Sequence, residues 1–313
     1  MGRYLRKRLI LIVFLLLGMT FIVFASLYFS PGDPAEIAAG PSATAEEIEL
    51  TRHYLGLDQP FFVQYGNYLK NLLHGDLGTS LITRQPIRDE LMIRLPNTLN
   101  LACSAMILAC LIGIPLGIIA AIHKDTLLDN ALTTLSLAGI SIPNFWLGTI
   151  LILFFCVKLG WFPTGGMSEP FWTATGFRQT FLPALSLGMQ VAGSFTRIGR
   201  SSMLDAIQSD YIRTANSKGL SQPRIIWIHA LRNALIPIIT QMGTSFGSLL
   251  GGSIVTEQVF GVNGIGSYLI NAINQRNYFA VQSTVLVIAF MFVMVNLIVD
   301  LLYVVIDPRI KYE

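Results

Sequence analysis

The stretch DYIRTANSKGLSQPRIIWIHALRNALIP, residues 210–237, decides the reading of this chain. It is basic, helix-forming and interrupted by one glycine, Gly219, and it lies between two runs apolar enough to cross a bilayer, near 181–200 and 234–256. Working outward, four more such runs occur near 9–29, 97–122, 130–157 and 282–305. Of the 313 residues, 53% are hydrophobic and 12% charged, with a mean hydropathy of +0.60, whereas a soluble domain carries about 25% charged residues. The composition therefore predicts an all-α polytopic membrane protein with six transmembrane helices.

The run 9–29 has no charged residue and measures about 32 Å as a helix, enough to span the hydrocarbon. Its apolar core is too long for a cleaved signal, so it is read as a retained first helix. Lys and Arg set the orientation. Four lie before the first run, Lys124 follows the second, six fall within 197–232 and two lie at the end, against Lys158, Arg178 and Arg276 on the other side. The long connection 30–96 holds the other five and reports topology poorly. Both termini and the quoted stretch are thus expected in the cytoplasm. Pro115, Pro143, Pro183 and Pro237 fall inside apolar runs and predict kinks sheltered by neighbouring helices.

The expected layout is a cytoplasmic tail and first helix (1–30), an external helical segment (31–96), a five-helix core (97–306) and a cytoplasmic tail (307–313). The core includes the inner loop 201–233 and the outer loop 257–281. In the external segment, Thr44 and Glu47 form a capping box for a helix closed by Gly56. A second helix opens at Asp58 and Pro60 and carries Phe61, Tyr65, Tyr68, Leu69 and Leu72 on one face. Such a stripe is expected to pack on the protein or the lipid interface; the alternative is a docking surface. In the outer loop, Gly261, Gly264 and Gly266 precede an apolar segment that either dips into the bundle or lies at the interface.

The net charge of +3 is scattered beside apolar runs, which favours contact with membrane lipid and not nucleic acid. Cys103, Cys110 and Cys156 all lie in apolar runs and are read as small buried residues. The four histidines have no metal-ligand spacing, so no metal is expected. Asp300, inside the last run, is expected to pair with an inner basic residue; the alternative is a role in proton relay.

The fifth run contains MGTSFGSLLGGS, in which Gly243, Gly247 and Gly251 recur every four residues and predict close helix packing. Gln241, Thr244, Ser245 and Ser248 fall in the adjacent sector. Either their polar groups bond within and between helices, or they line a hydrophilic route through the bilayer. Within the inner loop, Leu204, Ile207, Tyr211, Ile212 and Ala215 follow helical spacing over 201–218, and Gly219 stops that helix. Ser221 and Pro223 then open another. An amphipathic basic helix here either lies on the membrane or docks a cytoplasmic partner.

RTANSKG at 213–219 resembles the cytoplasmic EAA loop of bacterial ABC-importer permeases, although Arg213 stands where the general pattern has glutamate. DYIRTANSKGL with HALRNALIP is similar to the dipeptide, oligopeptide and nickel branch. So are PGDPA (31–35), LGLDQP (55–60), GDLGTS (75–80), PNFWLG (143–148), RSSML (200–204), LLGGSIVTEQVF (249–260) and DPRI (307–310). The outer loop departs, reading VNGIG at 262–266 where relatives often have W-P-G-x-G. The B-type subunit, in its dipeptide and glutathione versions, is the nearest resemblance.

That resemblance implies a type I importer transmembrane domain. The partners it implies are a homologous second permease in a heterodimer, two ATP-binding subunits carrying ATP and magnesium, and a periplasmic or lipid-anchored substrate-binding protein. It places Asp210, Tyr211, Arg213, Thr214, Ala215, Lys218 and Gly219 in an ATPase-coupling segment at the bacterial inner membrane. The implied cargo is a dipeptide, an oligopeptide or glutathione; nickel or a metal chelate is the alternative. The chain has no G-x-x-x-x-G-K-[ST] phosphate loop, so it is expected to be a transport subunit and not an enzyme. An ion-coupled secondary carrier is the remaining alternative, but it predicts internal repeats and central charges that are not evident.

Overall fold

The computed structural model describes residues 2–306, and the side chains of residues 10–299. Among these the structure is helical, with one isolated β-bridge between Thr79 and Pro86. The chain divides into two compact units, one comprising 2–96 with 263–294 and the other 97–262 with 295–306.

The first unit opens with α1 (Gly2–Tyr28), followed by α2 (Pro34–Ala39), α3 (Ala45–Tyr54) and α4 (Phe61–Leu73). Asp33 caps α2 by accepting the Ala35 N–H at 2.9 Å. The capping box of α3 is present: the Thr44 N–H reaches Glu47 Oε2 at 2.7 Å, and the Glu47 N–H reaches Thr44 Oγ1 at 3.3 Å. The Thr44 N–H and the Thr44 hydroxyl both donate to this carboxylate, which favours its charged form and holds the Glu47 pKa below its ordinary value.

The aromatic face of α4 packs on α1. Phe61 meets Phe24 and Tyr28 with ring centroids 5.3 and 5.0 Å apart, and Tyr68 stacks on Phe24 at 5.6 Å. The Tyr65 hydroxyl also lies 3.0 Å from Thr20 Oγ1. The aromatic stripe is therefore internal packing.

The same unit includes the start of α5 (Ile87–Ile122), α12 (Ile265–Asn274) and most of α13 (Tyr278–Ile306). Ile87 and Leu91 pack with Ile265, Tyr268, Ala272 and Ala280. Asn277 fastens the hairpin below them, its Oδ1 accepting the Leu81 N–H at 3.2 Å and its Nδ2 donating to Ser80 Oγ at 2.8 Å. Segment 31–96 thus shares a compact unit with parts of the chain two hundred residues away.

The second unit contains the rest of α5, α6 (Leu127–Ser141), α7 (Asn144–Leu151) with its π-helical continuation Ile152–Lys158, and α8 (Ala174–Ile207). It continues through α9 (Asp210–Ser217), α10 (Gln222–Arg224), a π-helical stretch Ile225–Ala230, and α11 (Leu231–Val259). α8 packs along α6 and α11. At Gly113 of α5 a Cβ would strike the carbonyl of Ala192 on α8, so that close approach requires glycine.

Among the described residues, four helices are long and apolar enough to cross a membrane, Ile10–Tyr28, Ile87–Ile122, Gln222–Val259 and Tyr278–Val299, and a bent pair makes a fifth if it is one span. The run 130–157 is not one straight helix, because α6 and the α7 segment meet at a 100° bend. Pro143 disfavours helical geometry in the residue before it, and Ile142 is extended, with φ −76° and ψ 124°. The remaining run, 181–200, lies on the 34-residue α8, which is long enough but more polar than the other spans. Many of its residues, from Gly176 to Ala206, are buried, so it need not present an apolar surface all round.

Candidate functional site

The quoted stretch folds as helix, glycine corner, helix. Lys218 ends α9, and Gly219 turns the chain with φ +75°. The Gly219 N–H bonds the Asn216 carbonyl at 2.9 Å, and Leu220 N–H bonds the Ala215 carbonyl at 3.4 Å, which satisfies carbonyls that a helix end leaves free. Ser221 is extended, Pro223 occupies the first turn of α10, and the chain continues through the π-helical stretch into α11.

The helix expected over 201–218 is not continuous. α8 stops at Ile207, and Ser209 is extended with φ −74° and ψ 154°, its hydroxyl donating to the Ala206 carbonyl at 2.5 Å. The reason lies in packing. On a straight helix Met203 and Ile212 would face opposite ways, since nine residues at about 100° each make half a turn. The break lets both bury in one cluster with Ile118, Ala121, Ala206, Ala215, Ile225, Ala230 and Ala234.

This arrangement sorts the seven residues implicated by resemblance. Asp210, Tyr211, Arg213, Thr214, Lys218 and Gly219 are exposed, and Asp210 lies 3.7 Å from Arg213. Ala215 belongs to the inward face, 7% exposed, where it seats α9 on the protein and offers little to a partner. Trp227 and Ile228, each 55% exposed, add apolar surface on the adjoining π-helical stretch. Sequence reasoning did not single them out, although large apolar side chains inside a basic loop are a usable signal.

On α11 the polar sector is divided. Thr244 and Ser248 are exposed, Gln241 is partly buried, and Ser245 is buried and accepts the Gln241 amide at 3.2 Å. The hydroxyls of Thr244 and Ser248 donate to carbonyls of their own helix, Gln241 at 3.1 Å and Thr244 at 3.3 Å. Thr244, Ser248, Gly251, Val255 and Gln258 form one exposed row at alternating spacings of four and three.

The glycine pattern is also divided. Gly243 sits against Val299 of α13, where any Cβ would collide with the valine methyls, and Gly247 is buried. Gly251 corrects the packing expectation: it is exposed, and a Cβ there would meet nothing within 4 Å. Eight residues at about 100° drift about 80° from Gly243, which carries Gly251 off the packing face and onto the exposed row.

Two buried polar contacts were not anticipated. Glu257, fully buried in α11, accepts the Thr98 hydroxyl at 2.7 Å. Asp129, in the first turn of α6, receives both arms of the Arg200 guanidinium. Each had a signal: Glu257 is a carboxylate in an apolar run, and Thr126 and Asp129 have capping-box spacing. Asp300 lies in α13 beyond the residues whose side chains are described, and the tail 307–313 is outside the described residues.

Comparison with known proteins gives a consistent result. The family model for "Binding-protein-dependent transport system inner membrane component" matches residues 113–312, and the corresponding N-terminal model matches residues 1–102. The glutathione transport system permease protein GsiC of Escherichia coli (strain K12) is 42% identical over 313 residues, covering 100% of both chains. Its counterpart in Salmonella typhimurium (strain LT2) is 43% identical over the same coverage. A structure of the MetNI methionine ABC transporter in an inward-facing conformation superposes with a TM-score of 0.59 at 16% identity, over 70% of this chain and 96% of that one. That likeness concerns the fold.

Proposed function

This chain belongs to the family of binding-protein-dependent transport system inner membrane components, a permease subunit of a bacterial ABC importer, and from that premise we propose how it works and what it carries. The exposed face of α9, bearing Asp210, Tyr211, Arg213, Thr214 and Lys218, is the seat for an ATPase subunit. Two such subunits, holding ATP and magnesium, act on this permease and a homologous second one. The chain inserts with both termini in the cytoplasm. The exposed row of α11, with Thr244, Ser248 and Gly251, faces the second permease across the substrate path, and Gln241 and Ser245 stand beside it.

The proposed cargo is glutathione or another short peptide, delivered by a periplasmic or lipid-anchored binding protein. The supporting observation is full-length identity of 42–43% to permeases named for glutathione. Small neutral groups along the α11 row suit a cargo whose selection is made by the binding protein.

The test is reconstitution. The chain, its second permease and the ATPases are placed in liposomes, and uptake of glutathione, dipeptides and nickel is measured with the binding protein added. Uptake of peptide that requires both ATP and the binding protein is the expected result. Nickel uptake alone overturns the cargo; transport by this chain alone without ATP overturns the coupling role of α9.

A further inference from the structure

The contact between α6 and α8 is an antiparallel seam with a regular register. At Gly193 a Cβ would lie 2.5 Å from the Ser136 carbonyl, so the two backbones nearly touch there. Seven residues further along each helix, Arg200 meets Asp129: Nε donates to Oδ1 and Nη2 to Oδ2, both at 2.6 Å. The Asp129 side chain is 2% exposed and that of Arg200 28%. The Asp125 N–H at 3.0 Å and the Thr133 hydroxyl at 3.4 Å supply further donors to the carboxylate. Such a forked, charge-assisted pair fixes direction as well as distance.

Its place in the fold gives it meaning. Met203, one helical turn beyond Arg200, is fully buried in the cluster that seats Ile212 and Ala215 of α9. Two successive turns of α8 therefore hold different neighbours, α9 through apolar packing and α6 through the ion pair. α6 in turn ends at the 100° bend into α7.

We infer that Arg200 and Asp129 are positioning residues which carry displacement of α9 into α6 and its bent continuation, so that ATP hydrolysis moves this side of the bundle. The inference rests on the proposed seating of an ATPase on α9. Without the pair, α8 and α6 keep the packing of Gly193 on the Ser136 carbonyl and of Gly139 on Met189 but lose this charge-assisted, directional link, and work done on α9 is dissipated.

The test uses the reconstituted importer and reads substrate carried per ATP hydrolysed. Arg200→Gln removes the pair; Arg200→Lys keeps the charge but loses the fork, and it decides the matter if Arg200→Gln fails to insert. The expected result is ATP hydrolysis near the wild-type rate with transport per ATP reduced at least about fivefold, the low end of a coupling between sites; Arg200→Lys should fall between. A purely structural role would lower the amount of complex and reduce both rates together, leaving the ratio unchanged. An unchanged ratio in both variants overturns the inference and leaves the importer reading intact, whereas a wild-type complex without ATP-driven uptake overturns that reading itself.

Discussion

Met203 and Ile212 stand nine residues apart and share one apolar cluster, with exposures of 0% and 3%. The short break at Gln208 and Ser209 makes this possible, and it turns Asp210–Ser217 into a separate helix held by its own buried face. Ile212→Ala should weaken that seating by about 2–5 kcal/mol, the range for deleting a buried branched side chain. Amide exchange across 210–217 should accelerate, while Tyr211→Ala, at a 40% exposed position, leaves it unchanged. Equal protection in the two variants would contradict the assignment of the inward face.

Gly219 has room for a side chain, since a Cβ would meet nothing within 4 Å, but its φ is +75°. Any penalty is therefore in the backbone, about 1–2 kcal/mol for an ordinary residue and more for a β-branched one. Gly219→Val should insert at normal abundance and lose ATP-driven uptake, and Gly219→Asn should retain most of it. Full uptake by Gly219→Val would show that the corner does not need this geometry.

Gly243 and Gly251 should behave oppositely. Gly243→Val must displace Val299 and should destabilise the protein by about 1–3 kcal/mol, as overpacking does. It is measurable as a lower unfolding temperature in detergent. Gly251→Val enters open space in the isolated chain and should leave that temperature unchanged, with its effect confined to assembly or transport. Equal destabilisation would overturn the division of this glycine series.

The segment around α3 should be acid-sensitive. Hydrogen bonds from Thr44 hold the Glu47 pKa below its ordinary value, and the contact with His53, 2.7 Å from Nδ1 to Oδ2, does the same for Asp58. Depressed carboxylate pKa values mean that this stabilisation is complete above the ordinary carboxylate range. It is lost as pH falls through the lowered values. Amide protection over 45–54 should therefore decline below about pH 4. Glu47→Gln should flatten much of that decline, and an unaltered profile would argue against the cap as its source.

Much of this molecule was legible in its sequence. The capping box of α3, the glycine stops after α3 and α9, and the apolar runs are local features with local causes. The aromatic stripe of α4 pointed to a packing or docking face, and only the structure supplied Phe24 and Tyr28 as its partners. The ordered motifs identified the family because many weak matches in one order are jointly specific.

The sequence by itself determined where several helices begin and stop, which runs are apolar enough for a bilayer and which stretch interrupts them. Those properties depend on neighbours within a few residues. Tertiary structure alone decided that helix 201–218 breaks at Ser209, that Ala215 faces inward, that Gly251 leaves the packing seam, and that Asp129 closes on Arg200. Each depends on which face of one helix meets another far along the chain. Helical periodicity fixes the phase of a face but not its partner, and burial of opposed apolar faces broke the helix 201–218 that the sequence pattern draws as continuous.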